Sequence, residues 1–374
     1  MAPLYHRLMS ILLSHTTALE VLRSPSLRNQ LARQERCVAT APTVRPTTYE
    51  LSALAEQLPN LSFPLHSLVS PTVNRRPGEF SKLHSSELIL PADSAIELAP
   101  GLLCASPEHL VVQMAPLLTH LELIFLLGEL FGIYAIAPDL EDGMFKRREA
   151  LTTPELVRRH LALLGAAPGT AKVERALAVA CVNSGSPYET RLSMRVGLKP
   201  ALGGCHLHVL SMNEPLEVNR IVSQLGTGIR KPDVFLGATH EGAPFAGVAF
   251  DYHGKIHEKP EQITSDLGRQ NELLGINFKI YTFDKSLYDN LDYFDGIIRL
   301  ARRDLGMPRE KISPAECEHR RTLRQQLHDE LEIIDGVTWN GKYRAQQRLE
   351  QGDETFDPVY EPVYEPVPDE AYGF

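Results

Sequence analysis

The chain of 374 residues has an ordinary globular composition, with 43% hydrophobic and 23% charged residues, and its length suggests roughly two to three domains. It contains no apolar run of the ~18–20 residues that a membrane-spanning helix needs, and its first residues lack the features of a signal peptide, so we expect no membrane association. The five cysteines are scattered and odd in number, which favours reduced thiols in the cytoplasm over a disulfide framework.

The net charge of −9 is concentrated at the C-terminal end of the chain. Residues 350–374 repeat Tyr-Glu-Pro-Val, contain no Lys or Arg and hold eight acidic residues. The rest of the chain is therefore close to neutral, and its charge does not exclude nucleic acid as a partner. An acidic, Pro-rich segment cannot bury enough apolar surface to order itself, so we predict a disordered tail.

Residues 1–50 are predicted to be a helical segment followed by a linker. Ser14 can cap a helix, and this segment is basic because it contains Arg23, Arg28, Arg33 and Arg36. This basic face is either solvated or a DNA contact. The Thr- and Pro-rich residues 40–50 are typical of a linker.

Residues 51–183 are predicted to form a mainly helical α+β domain. Two segments, 65–73 and 79–84, are compatible with strands or loops. Residues 117–136 are the most hydrophobic part of the chain and predict a buried helix pair. Two further helices complete this domain.

Residues 184–310 are predicted to form an α/β domain that begins with a helix capped by Ser186. His206 and His208 alternate with apolar residues, which indicates a strand with both histidines on one face. Together with Cys205 they offer three ligands of a zinc site, but the sequence supplies no fourth. A strand at 277–283 and a helix at 286–305 follow. The C-terminal segment 311–349 is predicted to hold a charged helix at 315–333.

Two short apolar runs in this domain each carry an aspartate at one end. Asp233 precedes the run 234–236, and Asp251 follows the core of the run 245–250. If the two runs are neighbouring strands, the carboxylates converge at one sheet edge, where a proton or a cation must offset their repulsion. Oxygen ligands favour Mg²⁺ or Mn²⁺. The alternative is that Asp233 is a turn residue after Pro232.

From 184 to 305 the predicted order of elements is a helix, three or more strands, a helix, a strand and a helix. The same segment contains a set of short motifs. They are Ser186-Pro-Tyr-Glu189, Pro232-Asp233, Asp251-Tyr-His-Gly254 with His257, and Asp266-Leu-Gly-Arg269. Together they resemble the restriction-endonuclease-like PD-(D/E)XK superfamily, and most closely the branch of very-short-patch-repair endonucleases and related nuclease-like domains. The resemblance covers about a third of the chain and implies a mixed sheet flanked by helices.

The resemblance implies a role for each matching residue. Asp233 would be the principal metal ligand and Asp251 the second acid, with Glu189 approaching the Mg²⁺ or Mn²⁺ ion directly or through water. His253 and His257 would be active-site residues. Three further residues would contact the substrate: Lys255, Asp266 and Arg269. The implied reaction is attack of a metal-activated water on a phosphodiester.

The sequence departs from the superfamily pattern at one position. The pattern has a lysine two residues after the second acid, where this chain has His253, and Lys255 stands two residues further on. The site is therefore either active with histidine or inactive. Two hypotheses follow: a metal-dependent nuclease that acts on DNA, or a catalytically silent nucleic-acid-binding protein that keeps the fold.

The N-terminal half resembles the regulator proteins of abortive-infection toxin–antitoxin systems more weakly, through Ser14-His-Thr-Thr-Ala-Leu and the region 79–134. Such regulators often carry a nuclease-like domain at the C-terminus. This resemblance implies a protein partner in a defence system and supports the regulatory hypothesis.

Overall fold

The computed structural model describes residues 11–27, 31, 34–58, 60–76, 78–87, 89–147, 149–219, 227–238, 240–252 and 271–350. The chain divides into two compact units. The first unit comprises Met1–Phe131, Ala135–Ala178 and Gly336–Phe374, and the second comprises Gly132–Tyr134 and Val179–Asp335. Both units combine helices with sheets, which confirms the α/β class. The predicted disordered tail lies outside the described residues from 351 onward.

The helices are numbered here in chain order. They are α1 (His15–Leu22), α2 (Thr48–Gln57), α3 (Pro107–Met114), α4 (His120–Leu130), α5 (Pro154–Leu164), α6 (Thr170–Leu177), α7 (Pro187–Gly197), α8 (Lys285–Asp289), α9 (Leu291–Asp304), α10 (Pro314–Ile333) and α11 (Gly341–Glu350). Most begin at a Ser, Thr, Asp or Asn whose side chain accepts a hydrogen bond from a backbone N–H of the first turn.

A six-stranded mixed sheet forms the centre of the first unit. Its strands are β1 (Ile11–Leu13), β2 (Arg36–Cys37), β3 (Leu65–Val69), β4 (Ser81–Ser85), β5 (Ala95–Ala99) and β6 (Leu102–Ala105). They lie in the order β2-β5-β6-β1-β3-β4, and the pairs β1–β6 and β3–β4 are parallel. A separate two-stranded sheet joins β7 (Tyr134–Ile136) to β8 (Met144–Lys146).

The first unit contains more strand than the sequence predicted. Residues 11–13, predicted as helix, form β1 and are almost completely buried. A three-residue apolar run has no periodicity that distinguishes a buried strand from a helix. Residues 117–136 form one helix and a strand rather than two helices. Thr119 and Glu122 cap α4 reciprocally, and nearly all of α4 is buried.

A four-stranded mixed sheet forms the centre of the second unit. Its strands are β9 (Val209–Ser211), β12 (Val234–Gly237), β13 (Gly247–Tyr252) and β14 (Phe278–Phe283), in the order β14-β13-β12-β9. β12 is antiparallel to both β9 and β13, whereas β14 is parallel to β13. β10 (Leu216–Asn219) and β11 (Thr227–Arg230) pair separately. Side chains from the sheet, α7 and α9 form one apolar core.

Two predictions for this unit were wrong in detail. His206 and His208 precede β9 rather than lying in a strand, and both are exposed. The predicted helix 286–305 is interrupted at Asn290, whose side chain accepts a hydrogen bond from Tyr293 N and thereby starts α9. The charged helix predicted near the C-terminus is α10, whose bounds differ from the prediction by one residue at the start.

Candidate active site

Two aspartates meet at one end of the β12–β13 strand pair. The antiparallel register pairs Val234 with Phe250, so Asp233 lies opposite Asp251. Asp251 Oδ1 accepts a hydrogen bond from Asp233 N at 3.2 Å. In return, Asp233 Oδ2 accepts one from Tyr252 N at 2.6 Å. Asp233 lies in a bend after Pro232, immediately before β12, and Asp251 lies within β13. Each carboxylate bonds to the backbone of the opposite segment, which agrees with the convergence expected from the ends of the two apolar runs.

The two aspartates differ in burial. Residues 247–251 of β13 are all buried, which is typical of a strand that is covered on both faces. Asp251 is only 1% exposed, while Asp233 is half-buried. A buried carboxylate needs hydrogen-bond donors, and the backbone N–H of Asp233 supplies one of them. Asp233 thus provides the more accessible side of the pair.

Glu189 lies at the start of α7, where Ser186 caps the helix and Pro187 occupies its first position. The Glu189 carboxylate accepts hydrogen bonds from Gly185 N at 2.6 Å and from Asn213 Nδ2 at 2.5 Å. Asn213 N in turn donates to Pro232 O at 2.8 Å. Glu189 is therefore tied, through Asn213, to the residue that precedes Asp233.

This connection does not bring the Glu189 carboxylate into a direct three-ligand group with Asp233 and Asp251. Within the described ranges, no Asp, Glu, His or Cys joins Asp233 and Asp251 in a group of three whose ligand atoms lie within 4.8 Å of one another. Of the three acids predicted for the metal site, the structure brings Asp233 and Asp251 together. The other five predicted site residues lie outside the described residues: His253, Lys255, His257, Asp266 and Arg269.

Two tyrosines next to the acidic residues stack on each other. Tyr188 precedes Glu189 and Tyr252 follows Asp251, and their ring centroids lie 4.5 Å apart with an interplanar angle of 7°. Arg191 lies over the Tyr188 ring at 5.0 Å and Lys285 at 5.9 Å. Burial raises the pKa of Tyr252, and the neighbouring tyrosines add to the shift, so its phenol stays neutral. Residues 64 positions apart give no spacing signal, and sequence reasoning missed this pair.

A second acidic group in this unit already holds a cation of the protein itself. The ligand atoms of Asp289, His328 and Glu332 lie within 4.8 Å of one another. Lys285 Nζ lies 2.7 Å from Asp289 Oδ1 and 2.5 Å from Glu332 Oε2. Burial lowers the pKa of Lys285, but its bonds to Asp289 and Glu332 outweigh burial and raise it. The ammonium group thus supplies the positive charge that a metal would supply.

The zinc ligands considered from the sequence do not converge. Cys205 is half-buried, whereas His206 and His208 are exposed and His206 has a left-handed backbone conformation with φ of 53°. In the part of the chain that the structure describes, these three do not form a group able to hold a metal.

A groove of about 850 Å³ in the same unit is rich in arginine. Acidic neighbours neutralise several of these side chains: Glu310 pairs with Arg302 and Arg320, and Asp295 pairs with Arg324. The groove is therefore less basic than its arginine content suggests.

Among the residues that the structure describes, no helix combines the length and the apolar character that crossing a membrane requires. No protein-family model, curated protein or solved structure matches the chain, so its function has to be inferred from the site.

Proposed function

We propose that the second unit is a Mg²⁺- or Mn²⁺-dependent nuclease that hydrolyses phosphodiesters of DNA, with Asp233 and Asp251 as metal ligands. The observation that carries the proposal is that both carboxylates bond to the backbone of the opposite segment at the same end of the β12–β13 pair. Mg²⁺ is commonly bound by one or two carboxylates, several waters and substrate phosphate oxygens. A carboxylate has about four acceptor positions, so a hydrogen bond from a backbone N–H does not by itself prevent it from binding a cation.

The direction of the strands is a second support. After α7 come β9, the separate β10–β11 pair, β12 and β13. In the sheet β12 lies between β9 and β13 and is antiparallel to both, and β14 follows parallel to β13. This is the order of elements on which the resemblance to PD-(D/E)XK nucleases rests. A parallel fourth strand requires a crossover, and residues 253–277 provide the length for it.

Each described residue has a distinct part in this proposal. A bound divalent ion would lower the pKa of a water and offset negative charge on the phosphate. Asp233 and Asp251 would hold that ion. Glu189 is a positioning residue, because its bond to Asn213 fixes the segment that leads into Asp233. Arg191, beside the tyrosine stack, would contact DNA phosphates.

One observation favours a second candidate function, a catalytically silent DNA-binding regulator that works with a protein partner in the cytoplasm. Asp233 and Asp251 each accept a hydrogen bond from the opposite strand. These bonds give both carboxylates a structural task, closing the end of the strand pair, that requires no metal. A protein that had lost catalysis would keep the aspartates for this reason.

Cleavage of plasmid and single-stranded DNA by the full-length protein separates the two functions. The wild type, Asp233→Asn and the control Asp329→Asn, which changes an exposed acid on α10 by the same charge, are compared in Mg²⁺ and in Mn²⁺. We expect cleavage only with metal, unchanged in the control and at least about 10²-fold slower in Asp233→Asn. Equal cleavage by wild type and Asp233→Asn would exclude the site. No cleavage by any protein, with DNA binding retained, would support the silent regulator.

A further inference from the structure

We propose that His15, His66 and His84 form a site in the first unit for a divalent ion that prefers imidazole ligands, such as Zn²⁺. One ligand nitrogen from each ring lies within 4.8 Å of the other two. The three residues come from α1, β3 and β4, so only the folded sheet brings them together. The site is independent of the proposed nuclease, because Asp233 and Asp251 belong to the other unit.

Hydrogen bonds of the backbone fix the two elements that carry His15 and His66. Ser14 N donates to His66 O at 3.1 Å, and His66 N donates to Thr17 Oγ1 at 2.8 Å. The start of α1 is therefore tied to β3 through both the N–H and the C=O of His66. His15 N also donates to Gln113 Oε1 of α3 at 3.0 Å. The ligands are thus held by well-packed elements, which reduces the ordering that metal binding would require.

His66 and His84 project from the same face of the sheet. Strands β3 and β4 are parallel, and the register places His84 opposite Leu68, two residues beyond His66. Because side chains alternate along a strand, residues two apart share a face. His84 Nε2 and His66 Nδ1 lie 3.3 Å apart. When two nitrogens bind the same tetrahedral zinc ion at about 2.05 Å, they lie about 3.3 Å apart. The His66–His84 pair therefore matches one edge of the coordination tetrahedron.

The ring of His15 has to move for the third bond to form. Two imidazoles on one tetrahedral zinc have ring centroids about 5 Å apart, as His66 and His84 have at 5.0 Å. The His15 ring instead stacks on His84 at 3.7 Å and lies 5.9 Å from His66. Metal binding would therefore break the stack and tilt His15 away from His84 by roughly 1 Å.

The protonation state of the cluster suits a metal. Burial lowers the pKa of His66 to about 4 and that of His84 to about 3, and the nearby Lys82 contributes to both shifts. Burial and the other two rings lower the pKa of His15 as well. The uncharged imidazole is the form that binds a metal, and the three ligand nitrogens already lie within 4.8 Å of one another.

Three protein nitrogens leave one coordination position open. His66 and His84 are half-buried rather than sealed in the core, so water can occupy the fourth position, as in zinc sites with three protein ligands. Imidazole favours Zn²⁺ and similar transition metals, whereas Mg²⁺ prefers oxygen. The two proposed sites of the protein should therefore bind different ions.

The test is titration of the metal-free full-length protein with Zn²⁺ and with Co²⁺, whose visible absorption reports nitrogen coordination. We expect one tightly bound Zn²⁺, and an affinity at least about 100-fold weaker in His66→Ala and in His84→Ala. His208→Ala, an exposed histidine in the other unit, and His328→Ala, from the acidic group there, are controls that should bind as the wild type does. Asp233→Asn should also keep this Zn²⁺.

A further variant tests the site without removing a ligand. Lys82 is exposed and its charge disfavours a second cation at the cluster. Lys82→Gln should therefore bind Zn²⁺ several-fold more tightly, and this holds even if the histidine variants fail to fold. The proposal is overturned if the wild type binds no Zn²⁺ at micromolar concentrations. It is equally overturned if His328→Ala rather than His66→Ala loses the ion, or if Lys82→Gln has no effect on a bound ion.

Discussion

Replacement of Asp251 should separate the structural task of its carboxylate from its proposed task as a metal ligand. Asp251 is 1% exposed, and its Oδ1 accepts the hydrogen bond from Asp233 N. Asp251→Ala removes that acceptor at a buried strand end, which costs about 1–3 kcal/mol of unfolding free energy. Asp251→Asn keeps an acceptor oxygen in the same place and loses only the charge, for about 1 kcal/mol or less.

The expected difference between the two variants is therefore about 1–2 kcal/mol in stability and none in metal binding. Hydrogen exchange of backbone amides in residues 234–252 measures the stability of the strand pair directly, and Mn²⁺ titration measures the site. We expect faster exchange in Asp251→Ala than in Asp251→Asn, and loss of Mn²⁺ binding in both.

Two results would refute this reasoning, and Asp329→Asn serves as the control for a change of charge alone. Equal exchange in Asp251→Ala and Asp251→Asn would mean that acceptor geometry does not hold the strand pair. Retention of wild-type Mn²⁺ affinity by Asp251→Asn would mean that its carboxylate is not a ligand.

Two further predictions concern stability. Burial lowers the pKa of His66 to about 4 and of His84 to about 3, so between pH 6.5 and 4 the unfolded chain binds more protons than the folded chain. The first unit then loses up to about 1 kcal/mol of unfolding free energy per pH unit for each histidine. Urea midpoints followed by Trp339 fluorescence should fall over this range, and an unchanged dependence of the midpoint on pH in His84→Gln would contradict the role given to His84. Gly203 has φ of +77°, and an added Cβ would clash with Leu323 O, whereas Gly143, with φ of +64°, has open space around it. Gly203→Ala should therefore lower the melting temperature by several degrees more than Gly143→Ala, which costs only the ~1–2 kcal/mol of a left-handed backbone. Equal losses in the two variants would disprove the clash.

Several elements could be predicted from the sequence because their signals span only a few residues. Ser186 and Pro187 mark the start of α7, and the alternation of residues 277–283 marks β14. The positions of Asp233 and Asp251 relative to their apolar runs were enough to predict that the two carboxylates meet. That prediction needed only one further assumption, that consecutive strands pair.

Other elements could not be predicted because short segments carry ambiguous signals. The three residues of β1 fit a helix as well as a strand, and only pairing with β3 and β6 selects the strand. The alternation of His206 and His208 favours a strand, yet His206 adopts φ of 53° and the strand begins at Val209. Tertiary contacts outweighed local preference at both places.

The sequence by itself determined the α/β class and the main helices of the second unit, and it placed Asp233 and Asp251 together once their two runs were assumed to pair. Only the tertiary structure decided that Glu189 is held by Asn213, that Tyr188 stacks on Tyr252 and that three distant histidines form a cluster. The physical reason is that these contacts depend on sheet register and on packing between elements far apart in the chain. A spacing rule within one element contains no information about either.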